Sequence, residues 1–337
     1  MKSVVLGKDG AGVQVIDKPE PQIVNPTDVK IKLEYATVCG SDLHMCAGAY
    51  PLPEGWPMGH EGTGTIMELG PDVKAKGLKV GDKATFYFNK YCGTCYYCRN
   101  GQEHLCTNVE MLLGSMSEYI VVSEQQVYKL DDDADMAAAS LIEPISCCMH
   151  GVDMCNIKSG MSVAIAGGGG MGQLTLQLVK MAGAVDITMI EPIEWKRTLA
   201  LENGADHAID PINEDLMART LEITDGRKFD VVIEVSGAAS SVKSAYEIAG
   251  RGGVVEYLAT YRPGVTLEHI DLAAAFPNEI TVITNVYQSP YVLPRSVKVY
   301  KNMNLAPLIE HVYSLDECTQ AFEDQRDGKS LKSLFKI

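Results

Sequence analysis

The sequence predicts an α/β protein in two parts, a β-rich, barrel-like unit and then a doubly wound parallel sheet. Three observations carry this reading. The first part alternates apolar and polar side chains at the two-residue period of strands, with prolines and glycines between the runs. From Ser162 onward, short apolar strands alternate with segments of helical period, the pattern of a parallel sheet with crossover helices. Where the second pattern begins, the glycine run Gly167–Gly172 follows a strand at once and opens a helix.

A chain of 337 residues is long enough for about two domains and a large core. The formal net charge of −15 argues against nucleic acid or an anionic membrane surface as a partner. The opening Met1–Gly7 lacks the apolar core of an export signal. No apolar run approaches the ~20 residues a membrane span needs. Four of the ten cysteines sit at metal spacing, so a reducing, cytoplasmic setting is expected.

In the first part Val13 and Val15, then Val29, Ile31 and Leu33, mark strands separated by Pro19, Pro21 and Pro26. Strands resume at Thr63–Leu69, Lys83–Phe88, Ser117–Val122 and Gln126–Leu130. Between them lie Cys39-Gly40-Ser41-Asp42-Leu43-His44 and, after a loop, Gly59-His60-Glu61-Gly62. Thiolate, imidazole and carboxylate are the ligand types zinc takes, and three protein ligands leave its fourth position open. Ser41 and His44 follow Cys39 at offsets of two and five, where they can pass a proton outward.

Cys92, Cys95, Cys98 and Cys106 form the pattern C-x2-C-x2-C-x7-C. Four thiolates close a tetrahedral shell, the arrangement of a structural zinc. Two disulfides fit a reducing setting poorly, and an iron–sulfur cluster calls for a redox partner that nothing else here suggests. His104 reads as a loop residue within this lobe. The acidic run Asp131–Asp135 then heads a helix over Met136–Ile142, complementing its N-terminal dipole. That helix delivers Glu143-Pro144, a carboxylate between apolar stretches that needs a partner.

In the second part Val163–Ala166 is a strand, and Gly167, Gly169 and Gly172 satisfy G-x-G-x-x-G. Such glycines permit a tight turn, close approach to a pyrophosphate and tight packing of helix on strand. The pyrophosphate then rests on the helix N-terminus, where free amides favour an anion. Met171, Leu174, Leu178 and Met181 share one face of that helix, with Gln173, Gln177 and Lys180 off it. The next strand, Asp186–Ile190, ends in Glu191, placed to bond ribose hydroxyls. The alternation continues to about six strands.

In this order the motifs resemble those of the zinc-dependent medium-chain alcohol dehydrogenases. The resemblance runs from Val29 to the C-terminal helix and includes Val80-Gly81-Asp82-Lys83 and Gly114–Tyr119. Glu143-Pro144, where other members have cysteine, is similar to the sorbitol, butanediol and sugar-alcohol branch, and Tyr50 resembles an active-site tyrosine of the sorbitol enzymes. One departure is the late arginine pair common in sugar-alcohol enzymes, in whose place stands Tyr287-Gln288-Ser289-Pro290.

The resemblance implies a GroES-like catalytic domain over 1–145 with a structural zinc lobe at about 90–108. It implies an NAD-binding Rossmann domain over 146–287 and a return to the catalytic domain over 288–337. It further implies two zinc ions per chain, NAD as cofactor, and a homodimer or homotetramer. Cys39 and His60 would ligate the catalytic zinc with either Glu61 or Glu143, Asp42 orienting the histidine. Ser41 would take the alcohol proton and His44 would pass it on. Gly167, Gly169, Gly170, Met171, Gly172, Glu191 and Lys196 would hold the dinucleotide. The expected reaction is reversible oxidation of a secondary alcohol or polyol to a ketone. The alternatives are an amino or hydroxy acid such as threonine on the same machinery, or a non-catalytic member. The last predicts a lost ligand or broken glycine turn, and every such position is filled.

Overall fold

The computed structural model describes residues 1–8, 12–74, 77–267, 270, 272–288 and 290–337, residue 274 in backbone only. In chain order the elements begin with β1 (Lys2–Leu6), β2 (Val13–Asp17), β3 (Asp28–Thr37), α1 (Gly40–Cys46), β4 (Glu61–Leu69) and β5 (Lys83–Phe86). The short β6 (Asn89–Lys90), α2 (Tyr96–Arg99) and β7 (Glu110–Met111) follow, then β8 (Tyr119–Ser123), β9 (Val127–Lys129), α3 (Met136–Ala139) and α4 (Ile142–Met154). The second stretch holds β10 (Ser162–Ala166), α5 (Gly170–Met181), β11 (Val185–Ile190), α6 (Glu194–Glu202), β12 (His207–Ile209) and α7 (Leu216–Ile223). It continues with β13 (Phe229–Glu234), α8 (Ala239–Glu247), β14 (Ala249–Tyr257), α9 (Leu272–Ala275) and β15 (Thr281–Thr284). The chain finishes with α10 (Leu293–Val299), β16 (Val312–Tyr313), α11 (Cys318–Arg326) and β17 (Leu334–Lys336). These elements form two compact units, Met1–Ser146 with Ser289–Ile337, and Cys147–Gln288.

The first unit is built on β3, which pairs antiparallel with β4, β8 and β17. Its seven-stranded sheet runs β16-β17-β3-β4-β5-β9, with β8 beside β3. Alternation explains the burial: Val29, Ile31 and Leu33 are fully buried with Ile66, Phe86 and Ile120. Gly64 is required where β3 and β4 approach, since a Cβ there would sit 2.0 Å from the Lys32 carbonyl oxygen. A second core joins Val4, Leu6, Val38 and Met58 to Phe322 and Phe335 near the chain's end.

The helix expected over Met136–Ile142 is two helices. Asp135 caps α3 by accepting from the Ala137 and Ala138 amides at 3.0 and 3.1 Å, and α3 stops at Ala139. A new helix starts at Ile142, so Glu143 and Pro144 stand in its first turn rather than at the end of the previous helix. Proline is tolerated there because a first-turn N–H has no intrahelical acceptor to lose.

The second unit is a six-stranded, wholly parallel sheet in the order β12-β11-β10-β13-β14-β15. Its interior gathers Ala164, Ile190, Phe229, Val232 and Val255. Helix α5 departs from the one-faced pattern read in the sequence: Gln173 and Gln177 are buried, while Met181 is half exposed. The Gln173 amide is satisfied inside, donating to the Gly168 and Lys196 carbonyls at 3.2 and 3.0 Å and accepting from Asn203 Nδ2 at 3.0 Å. A buried glutamine that links three segments behaves here as core, which periodicity cannot foresee. Among the described residues, no helix is long and apolar enough to cross a membrane.

Candidate active site

In the first unit Cys39 ends the extended segment after β3, and His60 immediately precedes β4, whose first residue is Glu61. Asp42 ties these segments together. Its fully buried carboxylate accepts from the Cys39 amide at 2.9 Å and the Gly59 amide at 3.2 Å. Gly59 adopts φ +85°, and a Cβ there would meet Ser115 Oγ at 2.6 Å, so only glycine makes this turn. The outcome is that one ligand atom each from Cys39, His60 and Glu61 lie within 4.8 Å of one another.

This cluster is strongly anionic. Burial disfavours a charged His60, but the Cys39 thiolate, Asp42 and Glu143 outweigh it and hold the imidazole well above its ordinary pKa. Burial likewise pushes the Asp42 carboxyl up, opposed by His60. Among the described residues, His60 Nδ1 is buried without a hydrogen-bond partner, 3.9 Å from Asp42 Oδ1. A half-buried thiol, a buried imidazole and a buried carboxylate whose ligand atoms lie within 4.8 Å of one another fit a bound divalent cation of borderline softness such as zinc.

Glu61 is also held from elsewhere. Its carboxylate accepts from Lys332 Nζ at 2.7 Å on Oε1 and 2.6 Å on Oε2, and from the Thr37 hydroxyl on Oε2. Lys332 is buried, and although burial lowers its pKa, Glu61 and Cys39 reverse the direction and keep it charged. Sequence reading missed Lys332; the signal was a lysine between Leu331 and the apolar Leu334-Phe335. Glu143 is buried in the first turn of α4, close enough to act electrostatically on His60 and Lys332, and lies outside the three-ligand group. Ser41 and His44 are half-buried on α1, three residues apart and so on neighbouring turns of one face. Tyr50, beyond that helix, is 43% exposed.

Cys92, Cys95, Cys98 and Cys106 are brought together as expected from their spacing, with Sγ···Sγ separations of 3.5 and 3.9 Å. A disulfide would need about 2.05 Å. Four sulfurs at about 2.3 Å from one ion stand about 3.8 Å apart, so the cage fits a tetrahedral zinc. The Cys95 and Asn108 amides point at Cys92 and Cys106 sulfurs at 3.3 and 3.4 Å. The Thr94 hydroxyl and the Thr94 and Cys95 amides depress the Cys92 pKa to about 5, whereas burial lifts that of Cys98 to about 12.

In the second unit the glycine turn leaves β10 and enters α5. Gly167 has φ +112°, and a Cβ there would meet Ser236 N at 2.9 Å; one on Gly172 would meet the Gly167 carbonyl oxygen at 1.8 Å. Gly169 faces open space before the first turn of α5, where Gly170 and Met171 follow. The N-terminal amides there suit a pyrophosphate. Glu191 is buried beside the turn, accepting from the Gly168 amide at 2.6 Å and the Ile193 amide at 2.9 Å. Lys196 is buried with Nζ 5.5 Å from the centre of the Trp195 ring. Arg197 donates to the Glu191 carbonyl at 2.7 Å and pairs with Asp210 at 3.1 Å.

Comparison with known families identifies the two parts of the chain. Residues 25–132 match the alcohol dehydrogenase GroES-like domain, and residues 170–302 match the zinc-binding dehydrogenase domain. The chain belongs to the zinc-dependent alcohol dehydrogenase family. It is similar to L-threonine 3-dehydrogenase of Pyrococcus horikoshii, 33% identical, over 100% of this chain and 99% of the relative. It is 31% identical to sorbitol dehydrogenase of Halalkalibacterium halodurans over 99% and 98% of the two chains. A chain from Sinorhizobium meliloti 1021 assigned as a zinc-binding dehydrogenase and solved with NADP superposes with TM-score 0.90 at 30% identity, covering 100% of this chain and 99% of that one. This dehydrogenase is therefore an oxidoreductase acting on CH–OH groups of small molecules, with zinc and a nicotinamide dinucleotide as its cofactors.

Proposed function

We propose that this dehydrogenase interconverts a secondary alcohol or polyol and its ketone, with NAD as hydride acceptor. The observation that carries the reading is the gathering of the half-buried Cys39 with the buried His60 and Glu61 in one anionic cluster. In this reading the catalytic domain spans 1–145 and 288–337, and the NAD-binding domain 146–287. Cys39 and His60 hold the catalytic zinc, with Glu61 or Glu143 as the third ligand. Cys92, Cys95, Cys98 and Cys106 hold a second, structural zinc. The catalytic ion, when bound, supplies a Lewis acid that makes an alcohol acidic at neutral pH.

The protein's own groups manage the proton and the geometry. Ser41 Oγ receives the hydroxyl proton, and His44 carries it toward solvent with an imidazole suited to neutral pH. Asp42 fixes the segments bearing Cys39 and His60, and Lys332 holds the Glu61 carboxylate. Gly167, Gly169, Gly170, Met171 and Gly172 cradle the pyrophosphate, while Glu191 and Lys196 meet the ribose. We assign the enzyme to the cytoplasm as a homodimer or homotetramer, as its metal-spaced cysteines and family suggest.

A second reading, oxidation of threonine, is favoured by the 33% identity to an L-threonine 3-dehydrogenase along the whole chain. The test is NAD reduction against diols, polyols, sugar phosphates and amino alcohols including threonine. Turnover confined to threonine would replace the alcohol or polyol reading, and turnover of none would overturn both.

A further inference from the structure

The second unit contains a cavity of about 950 Å³ far from its glycine turn in the sheet. Arg227 and Lys228 directly precede β13, Arg251 lies early in β14, and Ile280 directly precedes β15. The cavity therefore opens at the amino ends of three parallel strands, whereas the glycine turn leaves the carboxyl end of β10, which pairs parallel with β13. Its volume is in the range of small-molecule sites.

Two properties make it more than a surface dent. Its floor is apolar and continuous with the core: Met217, Tyr246, Leu267 and Ile280 are partly buried and pack on the cluster that contains Phe229 and Val255. Its rim is cationic in a chain whose net charge is −15. Arg227 and Arg251 form no ion pair among the described residues, and the Lys228 ammonium donates to the Glu247 carbonyl at 2.7 Å rather than to a carboxylate. Among the described residues, the two acids on the lining are engaged. Asp230 accepts from the Ser162 amide and hydroxyl at 2.8 and 2.9 Å, and Glu247 faces Lys243 at 3.5 Å. The backbone segments that carry the two arginines run close together, since a Cβ on Gly250 would lie 2.7 Å from the Arg227 carbonyl oxygen. Arg251 Nε is oriented by Asn278 Oδ1 at 3.3 Å. Guanidinium groups in such a setting suit bidentate recognition of phosphate.

We propose that this cavity binds a nucleotide-class polyanion, its phosphates on Arg227 and Arg251 and its base on the floor around Tyr246. The ligand is not the hydride-carrying dinucleotide, whose turn lies at the opposite end of the strands.

Calorimetric titration of the NADH-saturated enzyme with GTP tests the proposal, NADH keeping the cofactor site filled. GTP should bind about tenfold or more tightly than either guanosine or tripolyphosphate alone. The Arg227→Gln/Arg251→Gln variant should weaken GTP by about tenfold or more while leaving NADH affinity and turnover unchanged. Tyr246→Leu should weaken GTP and leave tripolyphosphate alone. A flat GTP isotherm with NADH bound, or equal GTP affinity in the arginine variant, would overturn the site. Tripolyphosphate binding as tightly as GTP would overturn the nucleotide assignment.

Discussion

Lys332 and Glu61 form a buried pair in which one ammonium bonds both carboxylate oxygens, at 2.7 and 2.6 Å. The carboxylate that offers itself as a metal ligand is thus already occupied. Lys332→Met should leave Glu61 charged and unpaired, destabilising the metal-free protein by about 3–5 kcal/mol. Zinc should recover part of that loss, so its addition should raise the melting temperature more in the variant than in the wild type. Adding Glu61→Gln to the variant should restore stability without zinc. Equal zinc-induced shifts in variant and wild type would separate Lys332 from the metal site.

Metal content follows from the two cages. Elemental analysis should find two zinc ions per chain. A chelator should strip the three-ligand site first and abolish activity, leaving the ion of the closed four-sulfur cage. One zinc at most, with the cysteines between 92 and 106 oxidised, would contradict this.

Along α1, Ser41→Ala should slow hydride transfer by about 10²–10⁴-fold, the usual scale of general acid–base catalysis. His44→Ala should cost far less, because solvent can replace the outer base. Single-turnover rates near neutral pH make the comparison, and an unchanged rate in Ser41→Ala would remove the serine from proton transfer.

Dinucleotide choice should rest on Glu191 against Arg197. Glu191 would repel a 2′-phosphate, and Arg197 is engaged by Asp210 and by the Glu191 carbonyl. Catalytic efficiency should therefore be higher with NAD than with NADP. Glu191→Ala should erode the preference, and Asp210→Ala, which releases Arg197, should improve NADP use. A wild type that favours NADP would mean that Arg197 reads the ribose.

In the second unit, Glu256 is fully buried, with the Cys155 thiol donating to Oε2 at 3.4 Å and, among the described residues, no donor for Oε1. Burial lifts its pKa from 4.5 to about 7. The folded state therefore binds this proton more tightly than the unfolded one. The associated stability is present below pH 4.5 and is lost as pH rises through about 7, amounting to about 3 kcal/mol. Glu256→Gln should stabilise the protein at pH 8 by up to that amount and change little at pH 4.5. Urea unfolding at both values measures it, and equal effects at the two would contradict a neutral buried carboxyl.

Much of this was legible in the sequence because the chemistry is local. The cysteines of the lobe sit within fifteen positions, and the glycine turn touches its own strand and helix, so spacing alone brings the atoms together. Lys332 was not legible, since its partner lies 271 residues away and only the antiparallel pairing of β17 with β3 places it. The break between α3 and α4 was missed because Ser140-Leu141 continues an apolar run without a glycine or proline to mark the end. Gln173 defied periodicity because its partners come from the glycine turn and from α6 with its C-cap Asn203, which no single window contains.

The first unit closes on itself late. β17 covers Tyr35–Thr37 of β3, whereas β8 covers only Asp28–Lys32 of the same strand. Ribosomes extend a chain at about 5–20 residues per second, so some 300 residues of synthesis leave that edge bare for about 15–60 s. A bare edge accepts any matching strand. The matching strand is the same for every copy, so exchange of β17 between released chains is the assembly error this topology invites.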